Sequence, residues 1–258
     1  MTTTVAIIGA TGKMGRLVSD LIDRTEGFEV VARLDSQSEL RDMLKAQVAV
    51  DLTRPDVSRD VVEFATEHGV RVLVGTSGWS QDGVDALARR LAGRDDTGVI
   101  IIPNFSIGSV LATKFAALAA RFYDSIEIVE AHQPSKVDSP SGTAVRTAEM
   151  IGRARADLGP VSAPHTDQRA RGQQVSSVPV HSLRLSGLLA RQDVFLGGTG
   201  ETLTISHNTL SPSAYESGIL LALTAARTAT GVTVGLDQIV DLGFGSADDA
   251  GSEPGASK

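Results

Sequence analysis

Apolar residues in the first hundred positions follow two alternating patterns. Short unbroken runs, beginning with Val5–Ile8, mark strands covered on both faces, as in a parallel sheet. Between these runs apolar positions recur every three or four residues, as Met14, Leu17, Val18, Leu21 and Ile22 do, which marks an amphipathic helix. The same patterns predict strands over Phe28–Leu34, Gln47–Leu52, Arg71–Val74 and Val99–Ile102. The helices between them carry Val57, Val61, Phe64 and Ala65, then Val84, Leu87, Ala88 and Leu91. Such alternation predicts a parallel sheet with right-handed crossovers.

After Pro103 the pattern changes. A helix over Val110–Phe122 leads to a strand at Ser125–Val129, a polar loop rich in Pro, Ser and Gly, and a helix from about Thr143 to Leu158. Gly159–Ser177 is polar and reads as a long exposed loop. Val178–Leu185, Asp193–Leu196 and Thr202–Ser206 then follow as strands without intervening helices, which predicts an antiparallel or mixed sheet. Tyr215–Thr228 is a late helix expected to pack back on the first domain. The predicted fold is α/β, a doubly wound parallel sheet plus a smaller α+β domain with an open mixed sheet. The expected domains are 1–104, completed by the helical segment 213–242, and 105–212, with a disordered tail over 245–258.

Composition narrows the function classes. Of 258 residues, 41% are hydrophobic and 21% charged, which is ordinary for a globular protein. The net charge of −7 offers no basic field for a phosphate backbone, so no nucleic-acid partner is expected. The absence of cysteine removes disulfides, thiolate zinc sites and cysteine nucleophiles together, and fits a reducing compartment. No run approaches the roughly 20 apolar residues that span a bilayer, and no basic segment precedes a longer apolar one. A cytoplasmic protein without a membrane partner is the expectation.

Candidate chemistry begins at the turn Gly9-Ala10-Thr11-Gly12-Lys13-Met14-Gly15, which follows one predicted strand and opens one predicted helix. Glycine permits the tight turn and lets backbone approach a pyrophosphate resting on the helix N-terminus. Asp35 ends the second predicted strand, 20 positions after Gly15, where a carboxylate binds the adenosine-ribose hydroxyls of a dinucleotide. A carboxylate there repels a 2′-phosphate, so NADH is expected to be preferred. Arg33, two residues earlier on the same strand face, is expected to offset part of that repulsion and leave NADPH tolerated.

The segment Glu130-Ala131-His132-Gln133-Pro134-Ser135-Lys136-Val137-Asp138-Ser139-Pro140-Ser141-Gly142-Thr143-Ala144 joins a predicted strand to a predicted helix. Ser141, Gly142 and Thr143 offer hydroxyls and N–H groups at the helix start, which makes a small anion site. Lys136 and His132 lie just upstream, one a fixed cation and the other titratable near neutrality. An anion cradle beside a proton donor suits reduction of an acid whose neighbouring C=N or C=C accepts hydride and then a proton. From the residues alone, a capped helix preceded by solvated polar side chains fits equally well.

This segment resembles the signature of the dihydrodipicolinate reductases, Glu-x-His-His-x-x-Lys-x-Asp-x-Pro-Ser-Gly-Thr-Ala. Other stretches similar to that family follow in order: Gly9-x-x-Gly12-x-x-Gly15, Asp51-Leu52-Thr53-Arg54-Pro55, Gly75-Thr76-Ser77-Gly78, Pro103-Asn104-Phe105-Ser106-x-Gly108, and Gly200-Glu201-Thr202-Leu203-Thr204-Ile205-Ser206-His207. The likeness covers residues 1 to about 242. It implies a Rossmann domain plus a smaller domain whose mixed sheet assembles a homotetramer, with 105–212 binding substrate. It also implies NAD(P)H-dependent reduction of a small dicarboxylic acid to tetrahydrodipicolinate, in diaminopimelate and lysine biosynthesis. By position, His132 is implied as the acid and Lys136 as its partner donor or substrate anchor. Ser141, Gly142 and Thr143 are implied to hold a substrate carboxylate. Leu52, Thr53, Gly75, Thr76 and Ser77 are implied to line the nicotinamide pocket, and Pro103, Asn104 and Phe105 the hinge and cofactor side.

One position departs from the pattern. The family's second histidine is Gln133 here, which donates a hydrogen bond to a carboxylate but cannot become cationic. Weaker substrate binding or an altered pH dependence is expected. The departure also leaves open a reductase of another cyclic imine or enamine acid, and a non-catalytic NAD(H)-binding regulatory module is a further alternative. Of the remaining histidines, His68 is expected at a solvent-facing helix end, His165 in the long loop, and His181 and His207 as packed strand residues. Arg184 is a candidate for a substrate carboxylate. No cluster has metal-ligand spacing.

Overall fold

The computed structural model describes residues 1–240. The expected tail from Gly245, and the last two positions of the segment 213–242, lie outside the described residues. Six strands form one wholly parallel sheet: β1 (Thr3–Ile8), β2 (Phe28–Leu34), β3 (Val48–Asp51), β4 (Arg71–Val74), β5 (Gly98–Ile101) and β11 (Gly231–Val234), in the order β11-β5-β4-β3-β1-β2. The unbroken apolar runs follow from this geometry, because successive side chains point to opposite faces. Val5 and Ile7 enter the core beside Val18, Leu21 and Ile22 of α1 (Lys13–Asp23) and Ile219, Ala222 and Leu223 of α6 (Glu216–Ala226). Ala6 and Ile8 enter the opposite core, with Val61, Val62 and Ala65 of α2 (Pro55–Glu67) and Leu87 and Leu91 of α3 (Gln81–Leu91). Each fully buried aliphatic side chain contributes about 1.5–3 kcal/mol.

The order of strands reverses at β1, since β2 lies on one side of it and β3 on the other. That reversal opens a crevice beyond the carboxyl ends of β1 and β3, the place where α/β sheets take ligands. The C-terminal segment, expected to be helical, contributes β11 as well as α6. β11 is a half-buried edge strand whose short run is interrupted by Thr233, so it lacks the unbroken apolar signal of the other short strands.

The remaining strands, β6 (Ser125–His132), β7 (Gln173–Val175), β8 (Val178–Arg184), β9 (Ala190–Gly198) and β10 (Glu201–Thr209), form a second sheet in the order β10-β9-β6-β8-β7. β6 and β8 run parallel and the other pairs antiparallel, so the sheet is mixed, as expected. Helices α4 (Ile107–Ala119) and α5 (Gly142–Ala154) cover its inner face. The stretch 159–177 is not one loop, because it holds a 3-10 turn at Arg169–Arg171 and β7. β7 turns into β8 through Ser176 and Ser177, both at positive φ (49° and 68°). That hairpin geometry usually carries Asn-Gly, so two serines carry no turn signal. α5 also ends earlier than expected, at Ala154. The next residue, Arg155, turns inward and donates to the carbonyls of Ala120 and Tyr123 at 2.5 and 2.6 Å.

Candidate active site

The glycine turn sits at the crevice. Gly9 has φ +84°, and a Cβ on it would lie 2.5 Å from the Leu52 carbonyl oxygen. A Cβ on Gly15 would lie 2.2 Å from the Gly9 oxygen, so the first turn of α1 presses directly on the loop that precedes it. The N–H groups of Gly9 and Ala10 both donate to Leu34 O, at 2.9 and 3.0 Å, tying the turn to the end of β2. Gly12 caps α1 with no side-chain acceptor. The first-turn N–H groups are therefore left for a ligand, which fits a pyrophosphate.

Asp35 is exposed just beyond β2, where the dinucleotide reading needs it. Its Oδ1 accepts from Gln37 N at 3.0 Å and Ser38 Oγ at 2.9 Å. The Gln37 backbone hydrogen bond, then that of Ser38, hold its carboxyl below the ordinary aspartate value, so it stays charged. Arg33 does not offset it. Its guanidinium forms a two-pronged pair with Asp23, at 2.7 and 2.9 Å, at the end of α1 remote from the glycine turn.

Asp51 organises the neighbouring strand ends. It is fully buried, and its Oδ1 accepts from both Thr53 N (3.1 Å) and Thr53 Oγ1 (2.5 Å), while Ser58 Oγ donates to Oδ2. Thr53 is thus held by Asp51. Thr76 Oγ1 donates to Asp51 O, and Trp79 Nε1 to Ser58 Oγ. Gly75 packs closely against two side chains: a Cβ there would lie 2.6 Å from Leu52 Cδ2 and 2.8 Å from Phe105 Cε2. Phe105 is 4% exposed and belongs to the core between β5 and α6, so it is chiefly a packed core residue. Asn104 is also engaged. Its Nδ2 donates to Ser109 Oγ and Thr143 Oγ1, and its Oδ1 accepts from Ser106 N, linking the starts of α4 and α5.

The reactive loop is positioned by the register of the mixed sheet. Along its inner face, cross-strand rows run Val194–Ile128–Val180, then Gln192–Glu130–Ser182, then Ala190–His132–Arg184. The face that starts as apolar core therefore becomes polar one row at a time and reaches the cleft at His132. Glu130 is fully buried. It takes His132 Nδ1 at 2.6 Å, Arg184 through Nη1 and Nη2 at 3.1 Å, and Ser141 N at 3.3 Å. Burial by itself raises the Glu130 carboxyl, but hydrogen bonds from Ser182, His132 and Arg184 outweigh it and hold the group below its ordinary value. His132 is lowered, chiefly by burial; Glu130 acts against that shift, while the charges of Lys136 and Arg184 add to it. With Nδ1 committed to Glu130, Nε2 is the nitrogen left for chemistry.

Arg184, expected to meet a substrate carboxylate, instead clamps the loop from behind. Besides holding Glu130 it donates to the carbonyls of Lys136 (3.3 Å) and Asp138 (2.6 Å). Lys136 Nζ pairs with Asp138 at 2.7 and 2.8 Å. Ser141 caps α5, its Oγ accepting from Ala144 N at 3.3 Å. A Cβ on Gly142 would meet nothing within 4 Å, so the protein's own packing does not demand glycine there.

These groups converge. One cleft of about 450 Å³ is lined by Met14 of the glycine turn, Pro103–Phe105, and His132, Gln133, Lys136, Ser141 and Thr143. A contiguous cavity of about 940 Å³ adds Thr76, Ser77 and Gly142. Asp35 lines neither cavity. Sequence reasoning missed Arg191, Gln192, Thr209 and Tyr215 on the cleft wall. Strand register and the return of the chain bring them in, and no local motif marks them. His207, expected as a packed residue, packs on Gly108 and hydrogen-bonds Ser106 Oγ at 3.2 Å, yet it also faces the cleft. His181 pairs with Glu127. His68 caps α2 at the surface, with Nδ1 on Phe64 O. Among the described residues no acidic or histidine cluster could hold a metal ion, and no helix is long and apolar enough to cross a membrane.

Comparison with known proteins places the chain in a family. Residues 3–105 match the family model for the dihydrodipicolinate reductase N-terminus, and residues 108–240 that for its C-terminus. A 4-hydroxy-tetrahydrodipicolinate reductase of Clavibacter sepedonicus is 66% identical over 242 residues, covering 94% of this chain and 87% of that protein. One from Streptomyces griseus subsp. griseus is 45% identical, covering 92% and 98%. The dipicolinate-bound dihydrodipicolinate reductase from Paenisporosarcina sp. TG-14 superposes with a TM-score of 0.79 at 29% identity, covering 93% of this chain and all of that one. The chain belongs to the dihydrodipicolinate reductase family of NAD(P)H-dependent oxidoreductases.

Proposed function

We propose that this cleft carries out the family's reaction, NAD(P)H-dependent reduction giving tetrahydrodipicolinate in diaminopimelate and lysine biosynthesis, with the residues named above in defined roles. The convergence of the glycine turn, His132, Lys136 and the start of α5 on one cleft carries this reading. The turn Gly9–Gly15 holds the dinucleotide pyrophosphate, Asp35 its adenosine ribose, and Leu52, Gly75–Ser77 and Pro103–Phe105 the nicotinamide side. Bound there, the reduced nicotinamide supplies a hydride. Ser141 Oγ–H, the free N–H groups of Gly142 and Thr143, and the helix dipole take one substrate carboxylate. The open space over Gly142 suits close approach of that ligand. Lys136 anchors the acid, Gln133 adds a neutral hydrogen bond, and His132 delivers a proton from Nε2. Residues 1–104 with 213–242 form the cofactor domain and 105–212 the substrate domain. The outer face of the mixed sheet, where Phe195 and Leu183 are nearly half exposed, is the surface for a homotetramer in the cytoplasm.

Lys136→Ala tests the anchor. A charge-assisted hydrogen bond is worth about 1.5–3 kcal/mol, so kcat/KM should fall roughly 10- to 150-fold in an assay that generates the substrate and follows NADH absorbance. Unchanged activity would remove Lys136 from the site.

Asp35 sets the cofactor choice, because Arg33 is committed to Asp23. NADH is expected to be used in preference to NADPH by roughly tenfold in kcat/KM, the modest size reflecting one exposed, salt-screened like-charge contact. The ratio should shrink in high salt and in Asp35→Ser. An NADPH preference would overturn the assignment.

A further inference from the structure

Asp237 lies on the wall of the same cavity as Lys136 and Ser141–Thr143, in the turn that follows β11. Its side chain is 8% exposed. Lys114 Nζ of α4 reaches Oδ2 at 2.9 Å, and Arg146 Nη2 of α5 reaches Oδ1 at 3.4 Å. Asp237 follows the last strand of the parallel sheet, whereas both cations belong to the helices that cover the mixed sheet. The carboxylate therefore joins the two halves of the molecule. The backbone makes room for it. Gly235 has φ +101°, and a Cβ there would lie 2.4 Å from Asp237 Oδ1 and 3.1 Å from Arg146 Nη2. Burial raises the Asp237 carboxyl, but the hydrogen bond and charge of Lys114, with Arg146 behind them, outweigh it and keep the group ionised.

Arg146 is three residues beyond Thr143, on the first turns of the helix whose N-terminus forms the anion cradle. We propose that Asp237 is a positioning residue for the reduction: by holding Arg146 and Lys114 it sets the carboxylate cradle of α5 at a fixed place relative to the half of the molecule that carries the dinucleotide turn. This rests on the assignment of Ser141–Thr143 as the cradle. As a link between the two halves, its expected consequence falls on the chemical step, where a misplacement of about 1 Å can cost on the order of 100-fold in rate. Both cations are partly exposed, at 34% and 44%, so they rehydrate when Asp237 is neutralised and the fold loses little.

The test is steady-state kinetics of Asp237→Asn. The expected result is a fall in kcat of roughly tenfold or more, with KM for NADH and the Kd for dipicolinate both within about twofold of the parent. Arg146→Met and Lys114→Met, both at partly exposed sites, should each give a smaller fall in kcat. Combining either with Asp237→Asn should add nothing, because Asp237→Asn already breaks both ion pairs. These single variants carry the test should Asp237→Asn not fold. A kcat within twofold of the parent, or a further loss when either cation change is added to Asp237→Asn, would overturn the proposal. Ser141→Ala, which removes the one side-chain hydroxyl of the cradle, separates it from the cradle assignment. If that variant leaves dipicolinate binding intact, the cradle fails. If it weakens binding while Asp237→Asn is silent, only the role of Asp237 fails.

Discussion

His132→Asn should lower kcat by about 10²- to 10⁴-fold, the usual contribution of a positioned general acid. Asparagine is chosen because its amide N–H can still donate to Glu130, as His132 Nδ1 does at 2.6 Å, so the support beneath the loop survives while the proton at Nε2 is lost. KM for the dicarboxylate should move by less than about threefold, since an interaction confined to the transition state lowers kcat and kcat/KM together. The pH profile supplies an independent reading. Burial depresses the His132 pKa below the ordinary imidazole value of about 6.5. An acid works in its protonated form, so kcat/KM, which reports the free enzyme, should fall as pH rises through a midpoint below that value. The two negative carboxylates of bound substrate favour the imidazolium, so the corresponding midpoint in kcat should lie higher. Both limbs should be absent in the variant. A His132→Asn enzyme that keeps more than about a tenth of the parent kcat would take this residue out of proton transfer.

The parts of this site that were legible in the sequence are those whose chemistry and position are local. Gly9, Gly12 and Gly15 are spaced by the turn they make, and Ser141–Thr143 declare a helix start by their own capping chemistry. The strands of the parallel sheet were legible because burial on both faces removes every polar residue from Val5–Ile8. What escaped was set by contacts between distant segments. Nothing near Arg33 indicates that its side chain turns away from Asp35 to reach Asp23. Nothing near Arg184 shows that a carboxylate 54 positions earlier would claim it. Gln192 and His207 enter the cleft only through the pairing of β9 with β6 and β10. β7 was missed because Ser176–Ser177 makes a turn whose backbone asks for Asn-Gly, and β11 because this half-buried edge strand has its apolar run broken by Thr233. Asp51 and Phe105 were visible as parts of motifs, but their burial, and hence their structural share in those motifs, was not.

Glu130→Gln is expected to cost the most stability of any single change in the site. Glu130 is fully buried, and its removal leaves Arg184 without a counter-charge while the guanidinium is still clamped to the carbonyls of Lys136 and Asp138. Breaking a buried pair by removing one partner costs about 3–5 kcal/mol. Arg184 is 21% exposed, which places this case near the lower end. A loss of about 3 kcal/mol corresponds to a fall in thermal midpoint of roughly 6–12 °C for a chain of this size. The pH dependence follows from the sign of the shift. Glu130 is held below its ordinary value, so its contribution is fully present above the unfolded carboxylate pKa of about 4.3 and is lost as pH falls through the lower folded value. Parent and variant should therefore differ most at neutral pH and converge in acid. Activity should respond separately. Glu130 raises the His132 pKa against burial and against the Lys136 and Arg184 charges, so without it the basic limb of kcat/KM moves to lower pH still. The double variant Glu130→Gln, Arg184→Met distinguishes the two effects. Removing the stranded cation should restore most of the stability, since deleting both partners of a buried pair is often close to neutral. It should not return the pH profile to that of the parent, because the carboxylate that supports His132 is still missing. If Arg184→Met deepens the loss instead, the guanidinium stabilises the loop through its carbonyl contacts, and the Glu130 pair is not what holds it.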